Sequence, residues 1–105
     1  MKEKIKEIIL ETAEKYGIKV DKIILFGSRA RGDYRDDSDW DILIVIEEKM
    51  DRKLEENFWL EVGRKLVKIG LIPEIIVSSK EELKKYGRYY GFVHYHALRE
   101  GVLIK

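Results

Sequence analysis

A chain of 105 residues, 45% of them apolar, can build one core and is too short for two. Its 21 basic and 20 acidic residues nearly cancel to a net charge of +1, so stable binding to a nucleic-acid backbone is not expected. Without a cysteine there is no disulfide, zinc–thiolate site or thiol nucleophile. With no apolar run near ~18 residues and no signal-peptide core, a cytoplasmic protein away from membranes is expected.

Ile5, Ile8, Ile9, Thr12, Ala13 and Tyr16 recur at helical spacing, and Gly17 is placed to stop that helix. Lys19 to Phe26 reads as a strand ended by Gly27, with a turn or short helix over Ser28–Gly32 and a loop over Asp33–Ser38. The unbroken apolar run from Trp40 to Ile46 predicts a central strand covered on both faces. Leu54, Phe58, Val62, Leu66 and Ile69 mark a long amphipathic helix that Gly70 closes. Pro73 introduces a third strand, Glu74–Ser78. Ser79-Lys-Glu-Glu has the form of a capping box opening a helix that runs to Tyr86. A further helix is predicted over Tyr89–Arg99, followed by Gly101 and a short tail, Val102–Ile104. No repeat, linker or low-complexity stretch interrupts the chain, and one α/β domain over residues 1–105 accounts for it: a small mixed β-sheet packed with α-helices.

The chemistry concentrates between Ile23 and Ile46. An apolar run ends in Gly27-Ser28, a polar loop follows, and the next apolar run opens with Asp39-Trp40-Asp41. Alternate residues of a strand share a face, so Asp39 and Asp41 project together and Trp40 points the other way. Two parallel carboxylates repel unless a cation lies between them, and a divalent metal is the natural resident. For the Gly-Ser turn and the aspartates to share a pole, the first two strands must run antiparallel. The long helix between the second and third strands suits a parallel crossover, which brings Glu74 to the same pole.

Phosphoryl and nucleotidyl transfer needs a triphosphate held in line and its developing charge neutralised, typically by two metals about 4 Å apart. Asp39 and Asp41 are the candidate ligands, and Glu74 either completes the acceptor-side metal site or takes the acceptor's proton. Gly27 allows backbone to approach the phosphates, the Ser28 hydroxyl adds a donor, and Arg29 and Arg31 are cations within reach. The two arginines have an equally good plain reading, as balance for the local aspartates. Other phosphate and metal readings fail. Asp37, Asp39, Asp41 and Glu48 fall where an EF-hand has acidic ligands, but Ile42 stands in place of its glycine. Gly27 and Gly32 have P-loop spacing, but Asp33-Tyr34 replaces the required Lys-Ser/Thr.

The pattern apolar-Gly-Ser, spacer, Asp-apolar-Asp resembles the minimal nucleotidyltransferase family of the DNA polymerase beta-like superfamily. Gly27, Ser28, Asp39 and Asp41 match position by position, and Gly-Ser-Arg-Ala-Arg-Gly-Asp and Ser-Asp-Trp-Asp-Ile-Leu resemble the surrounding segments. Glu74 stands where that family carries its third acidic residue, more often Asp. The resemblance implies the nucleotidyltransferase fold, Mg²⁺ (two ions) held by Asp39, Asp41 and Glu74, and ATP or another NTP as substrate. It also implies a HEPN-type helical partner in a toxin–antitoxin module, with AMP passed from ATP to a tyrosine of the toxin. Beyond the predicted core only about twenty residues remain, so the acceptor is expected to belong to another chain or a second copy. The rival reading is an antitoxin subunit that neutralises its partner by contact alone; a nucleotide sensor without turnover is weaker.

Asp33, Asp36 and Asp37 read as solvated loop residues, and Ser38 as a hydrogen-bonding residue of that loop. Tyr86, Tyr89, Tyr90, Phe92, Tyr95, His94 and His96 form an aromatic-rich segment that reads first as a helix packing on the sheet, and second as a partner surface. Trp59 fits either the core or a partner face.

Overall fold

Apolar periodicity sets the helices, and alternation with turn residues sets the strands. The computed structural model describes residues 1–105. In chain order the elements are α1 (Lys2–Lys15), β1 (Val20–Phe26), α2 (Ser28–Arg31), β2 (Trp40–Ile46), α3 (Arg52–Lys68), β3 (Pro73–Ser79), α4 (Lys80–Tyr86), α5 (Val93–Glu100) and β4 (Val102–Leu103). Asp51 caps α3 by accepting from the Leu54 amide, and Ser79 with Glu82 closes the predicted capping box on α4.

The strands form one mixed sheet in the order β3-β2-β1-β4. β1 runs antiparallel to β2 and to β4, and β2 runs parallel to β3 across the α3 connection, as the placement of Gly27, Asp41 and Glu74 at one pole requires. Alternate side chains feed two cores. On one face Ile23, Leu25, Ile42, Ile44 and Ile46 meet Ile5 and Ile9 of α1 and Phe58, Val62 and Leu66 of α3. On the other, Ile24, Phe26, Leu43 and Val45 meet Leu83 of α4 and Ala97 of α5. β2 is therefore central and dry on both sides. Each fully buried aliphatic side chain contributes about 1.5–3 kcal/mol to this packing.

Two parts of the C-terminal third differ from the sequence reading. The helix predicted from Tyr89 begins only at Val93. Before it, Tyr89–Phe92 is a turn in which the Phe92 amide donates to the Tyr89 carbonyl at 3.0 Å. Phe92 stacks on Tyr86 at 4.5 Å between centroids, and this contact folds the chain back between α4 and α5. The short tail is a strand: Leu103 and Val102 pair with Ile24 and Leu25 of β1.

The aromatic segment divides accordingly. Val93 and Ala97 pack on the sheet, while Tyr89, Tyr90 and Phe92 stay exposed. The Ser78 hydroxyl and His94 Nε2 lie 2.9 Å apart on the α4/α5 face, and burial holds the imidazole below its ordinary pKa. Trp59 lies outside both cores, and its indole N–H donates to the Ile75 carbonyl of the edge strand β3 at 2.9 Å. No helix is long and apolar enough to cross a membrane.

Candidate active site

β1 ends against the second aspartate. Phe26 and Asp41 are directly paired across the antiparallel ladder, so Gly27 emerges beside the Asp41 side chain. Gly27 has φ 73° and ψ −158°, a conformation closed to residues with a Cβ, and its carbonyl accepts from the Ala30 and Arg31 amides at 3.1 Å each. A Cβ there would collide with Asp41 Oδ2 and stand 3.0 Å from its Cγ. Glycine is needed twice over: for the backbone turn, and because the carboxylate occupies the space.

The other carboxylates follow from register. Asp41 is paired with Glu74 across the parallel β2/β3 ladder, so their side chains leave the same face from strands about 4.8 Å apart. Asp39, just ahead of β2, shares that face by alternation. Trp40 points the other way, toward the α1/α3 core, and its amide donates to the Ile72 carbonyl at 2.8 Å. Asp39 and Glu74 are exposed, whereas Asp41 is half-buried. Burial raises the Asp41 carboxyl above its ordinary pKa; Asp39 and Glu74 push it further, Arg31 opposes them, and Glu100 adds to the rise. The pole is thus a negative cluster with a poorly hydrated member at its centre. No three acidic or histidine side chains are pre-arranged as a complete metal cage.

The basic residues of α2 separate. Arg31 is exposed and donates through Nη1 to both Glu100 oxygens, at 3.2 and 3.3 Å, and through Nε to Asp33 at 3.4 Å. Arg29, expected as a spare cation for phosphate, is instead committed to the loop. Its guanidinium carbon lies 4.4 Å from the Tyr34 ring centroid and 4.5 Å from that of Trp40. Its Nη2 donates to the carbonyls of Asp36 at 3.1 Å and Ser38 at 3.3 Å. Two rings and two carbonyls hold the end of this side chain, its buried Nε having no partner, and they tie it to the segment that delivers Asp39 to the strand. Ser38 contributes as expected, its hydroxyl accepting from the Arg35 amide at 2.8 Å. Ser28 opens α2 half-buried, directly after the Gly27 turn. Asp33, Asp36 and Asp37 are exposed.

Sequence reasoning missed Glu100. It closes α5, and its carboxylate accepts from the Gly27 amide at 3.2 Å as well as from Arg31. The packing of α5 on the sheet through Ala97 and the pairing of β4 with β1 together bring this residue to the turn.

The carboxylate pole is an open face. A concavity of about 540 Å³ lies at the opposite pole, lined by Gly17–Lys19, Glu47–Met50 and Leu54, and contains none of these residues. Carboxylates flush against a glycine turn, with one exposed guanidinium beside them, can bind a polyphosphate with its cation.

The comparisons agree with this geometry. The family model of polymerase beta nucleotidyltransferases matches residues 3–105. A Methanocaldococcus jannaschii protein named "Putative protein adenylyltransferase MJ0604" is 39% identical over 97 residues, covering 92% of this chain and 90% of the relative. A crystal structure of a "putative nucleotidyltransferase" from Sulfolobus solfataricus superposes with a TM-score of 0.62 at 28% identity, over 98% of this chain and 78% of that one. A toxin–antitoxin complex crystallised with AMP-PNP shares the fold at a TM-score of 0.61 and 16% identity, over 94% of this chain and 71% of that one. The chain belongs to the polymerase beta nucleotidyltransferase family, within its minimal nucleotidyltransferases.

Proposed function

We propose that this nucleotidyltransferase moves AMP from ATP to a hydroxyl on a protein, a tyrosine of a HEPN-type toxin encoded with it. One observation carries the reading: the Gly27 turn is pressed onto Asp41, which stands beside Glu74 in register and two residues from Asp39. The M. jannaschii relative is named for transfer to protein, and the structural neighbour with AMP-PNP is a toxin–antitoxin complex. Both support a protein acceptor, as does the open face of the site.

Asp39 and Asp41 are the residues to hold Mg²⁺, with Glu74 alongside. A half-buried Asp41 flanked by repelling carboxylates suits a divalent cation, and Mg²⁺ favours a few carboxylates completed by waters and phosphate oxygens. When bound, the cation neutralises charge on the polyphosphate. The Gly27 turn offers its backbone amide to phosphate, the Ser28 hydroxyl donates to it, and Arg31 offsets its charge. Glu74 takes the acceptor's proton as the acceptor oxygen bonds to the α-phosphorus. The bond from that phosphorus to the bridging oxygen breaks, and pyrophosphate leaves.

The test is incubation with α-³²P-labelled ATP and Mg²⁺, with and without the protein encoded next to it, followed by denaturing electrophoresis. Label on the neighbour, absent with Asp39→Asn, is the expected result. A stable complex that binds ATP yet never carries label would favour the second reading, an antitoxin acting by contact. Exposed apolar residues of α3 (Trp59, Leu60, Val67), which line one groove with Pro73 and Ile75 of β3, give that reading its surface.

A further inference from the structure

The groups best placed to hold a phosphate at this pole are already held by an anion. The Gly27 amide and the Arg31 guanidinium both donate to the Glu100 carboxylate, and Arg31 reaches both of its oxygens. Carboxylate and phosphate oxygens compete for the same donors, and a guanidinium fork fits either. Glu100 also adds a negative charge to a cluster that already contains Asp39, Asp41 and Glu74. These two contacts are what hold that charge beside the cluster.

Its backbone is pinned by packing, while its side chain is held by these polar contacts alone. One turn before it, Ala97 is buried at 1% exposure. Immediately after it, Gly101 is so close to the Ala97 carbonyl and Ile24 that a Cβ would collide with both. Val102 and Leu103 then pair with β1. The Glu100 side chain, by contrast, is 31% exposed. The carboxylate can rotate into solvent without loosening α5 or β4.

We infer that Glu100 is a built-in competitor at the triphosphate position, holding the Gly27 amide and Arg31 until an incoming polyphosphate displaces it. The inference rests on the nucleotidyl-transfer reading and adds a residue outside the Gly-Ser and Asp-x-Asp signature. Glu100 sets the threshold for nucleotide occupancy, favouring ligands with enough phosphate charge to take both donors.

The experiment is calorimetric titration of ATP with Mg²⁺ into the wild type and Glu100→Gln. Removing the competing charge is expected to tighten ATP binding about five- to tenfold, the scale of one charge-assisted contact offset by retained amide hydrogen bonds. The gain should shrink when Glu100→Gln is made on Arg31→Ala, because the contested donor is gone. Should the variant fold poorly, NMR of the wild type gives an independent readout. ATP should shift the Gly27 amide and the Glu100 side-chain carboxyl resonances together. Unchanged or weaker ATP binding by folded Glu100→Gln, or an unmoved Glu100 carboxyl at saturating ATP, would overturn the inference and leave nucleotidyl transfer standing. No ATP binding by either folded protein would overturn both.

Discussion

Gly27→Ala tests the geometry on which the site depends. Two costs add. Gly27 has φ 73° and ψ −158°, where a residue with a Cβ is strained by about 1–3 kcal/mol. The new methyl group must also displace the Asp41 carboxylate, and overpacking of that kind costs about 1–3 kcal/mol. A total near 3 kcal/mol corresponds to a fall in Tm of roughly 15 °C for a chain of this size. Gly17→Ala is the control: φ is 69° there, but nothing lies within 4 Å of a Cβ, so only backbone strain of about 1 kcal/mol is expected. The contact itself is isolated by repeating Gly27→Ala on Asp41→Ala, where the penalty should fall by about 1–2 kcal/mol. Thermal melts of the five proteins by circular dichroism measure all of this. Equal losses from Gly27→Ala and Gly17→Ala, with no relief from Asp41→Ala, would refute the claim that the turn and the carboxylate share one space.

Asp41→Asn should abolish transfer by at least about a hundredfold in the label assay, the scale of losing one preorganised charge-stabilising group. Because burial and the neighbouring carboxylates disfavour its charge, the same variant should melt at or above the wild-type temperature at pH 7. Glu61 accepts from Lys15, Tyr16 and Lys65, and these hold its carboxyl down to about 2. Its contribution to stability is complete above an unfolded value near 4.5 and is lost as the pH falls from there toward 2, so Glu61→Gln should flatten the acid limb of a Tm–pH curve. His94 has its pKa lowered by burial, so the unfolded chain binds its proton first as the pH drops. Stability should fall below about pH 6.5, and that slope should be smaller in His94→Gln.

Much of the site was readable because its residues lie close in sequence or at strand ends. The apolar runs flanking Gly27-Ser28 and Asp39-Trp40-Asp41 fixed both strands. The long 54–69 periodicity implied a crossover, and together they put Glu74 beside Asp41. Arg29 was not readable. Whether a guanidinium faces phosphate or inserts between Tyr34 and Trp40 depends on how the loop closes, which no periodicity reports. Glu100 was invisible for a related reason. It lies 73 positions from Gly27, and it reaches the turn through the docking of α5 on the sheet and of a two-residue strand with exposed side chains on β1. So short a strand has no pattern to detect. The late start of α5 reflects a tertiary choice, the stacking of Phe92 on Tyr86 in place of another helical turn.

The hydrogen bond from Trp59 to the Ile75 carbonyl bears on the sheet's edges. A sheet flank with idle carbonyls invites a foreign strand to zip onto it, and β3 is such a flank. A bulky indole from α3 engages that strand mid-length, while Val102, Leu103 and Lys105 guard the other margin along β1. One carbonyl of the β3 rim is thus taken, and the other rim is a strand only two residues long, which shortens the template for a foreign strand. Strand addition at this sheet therefore has little edge to work with.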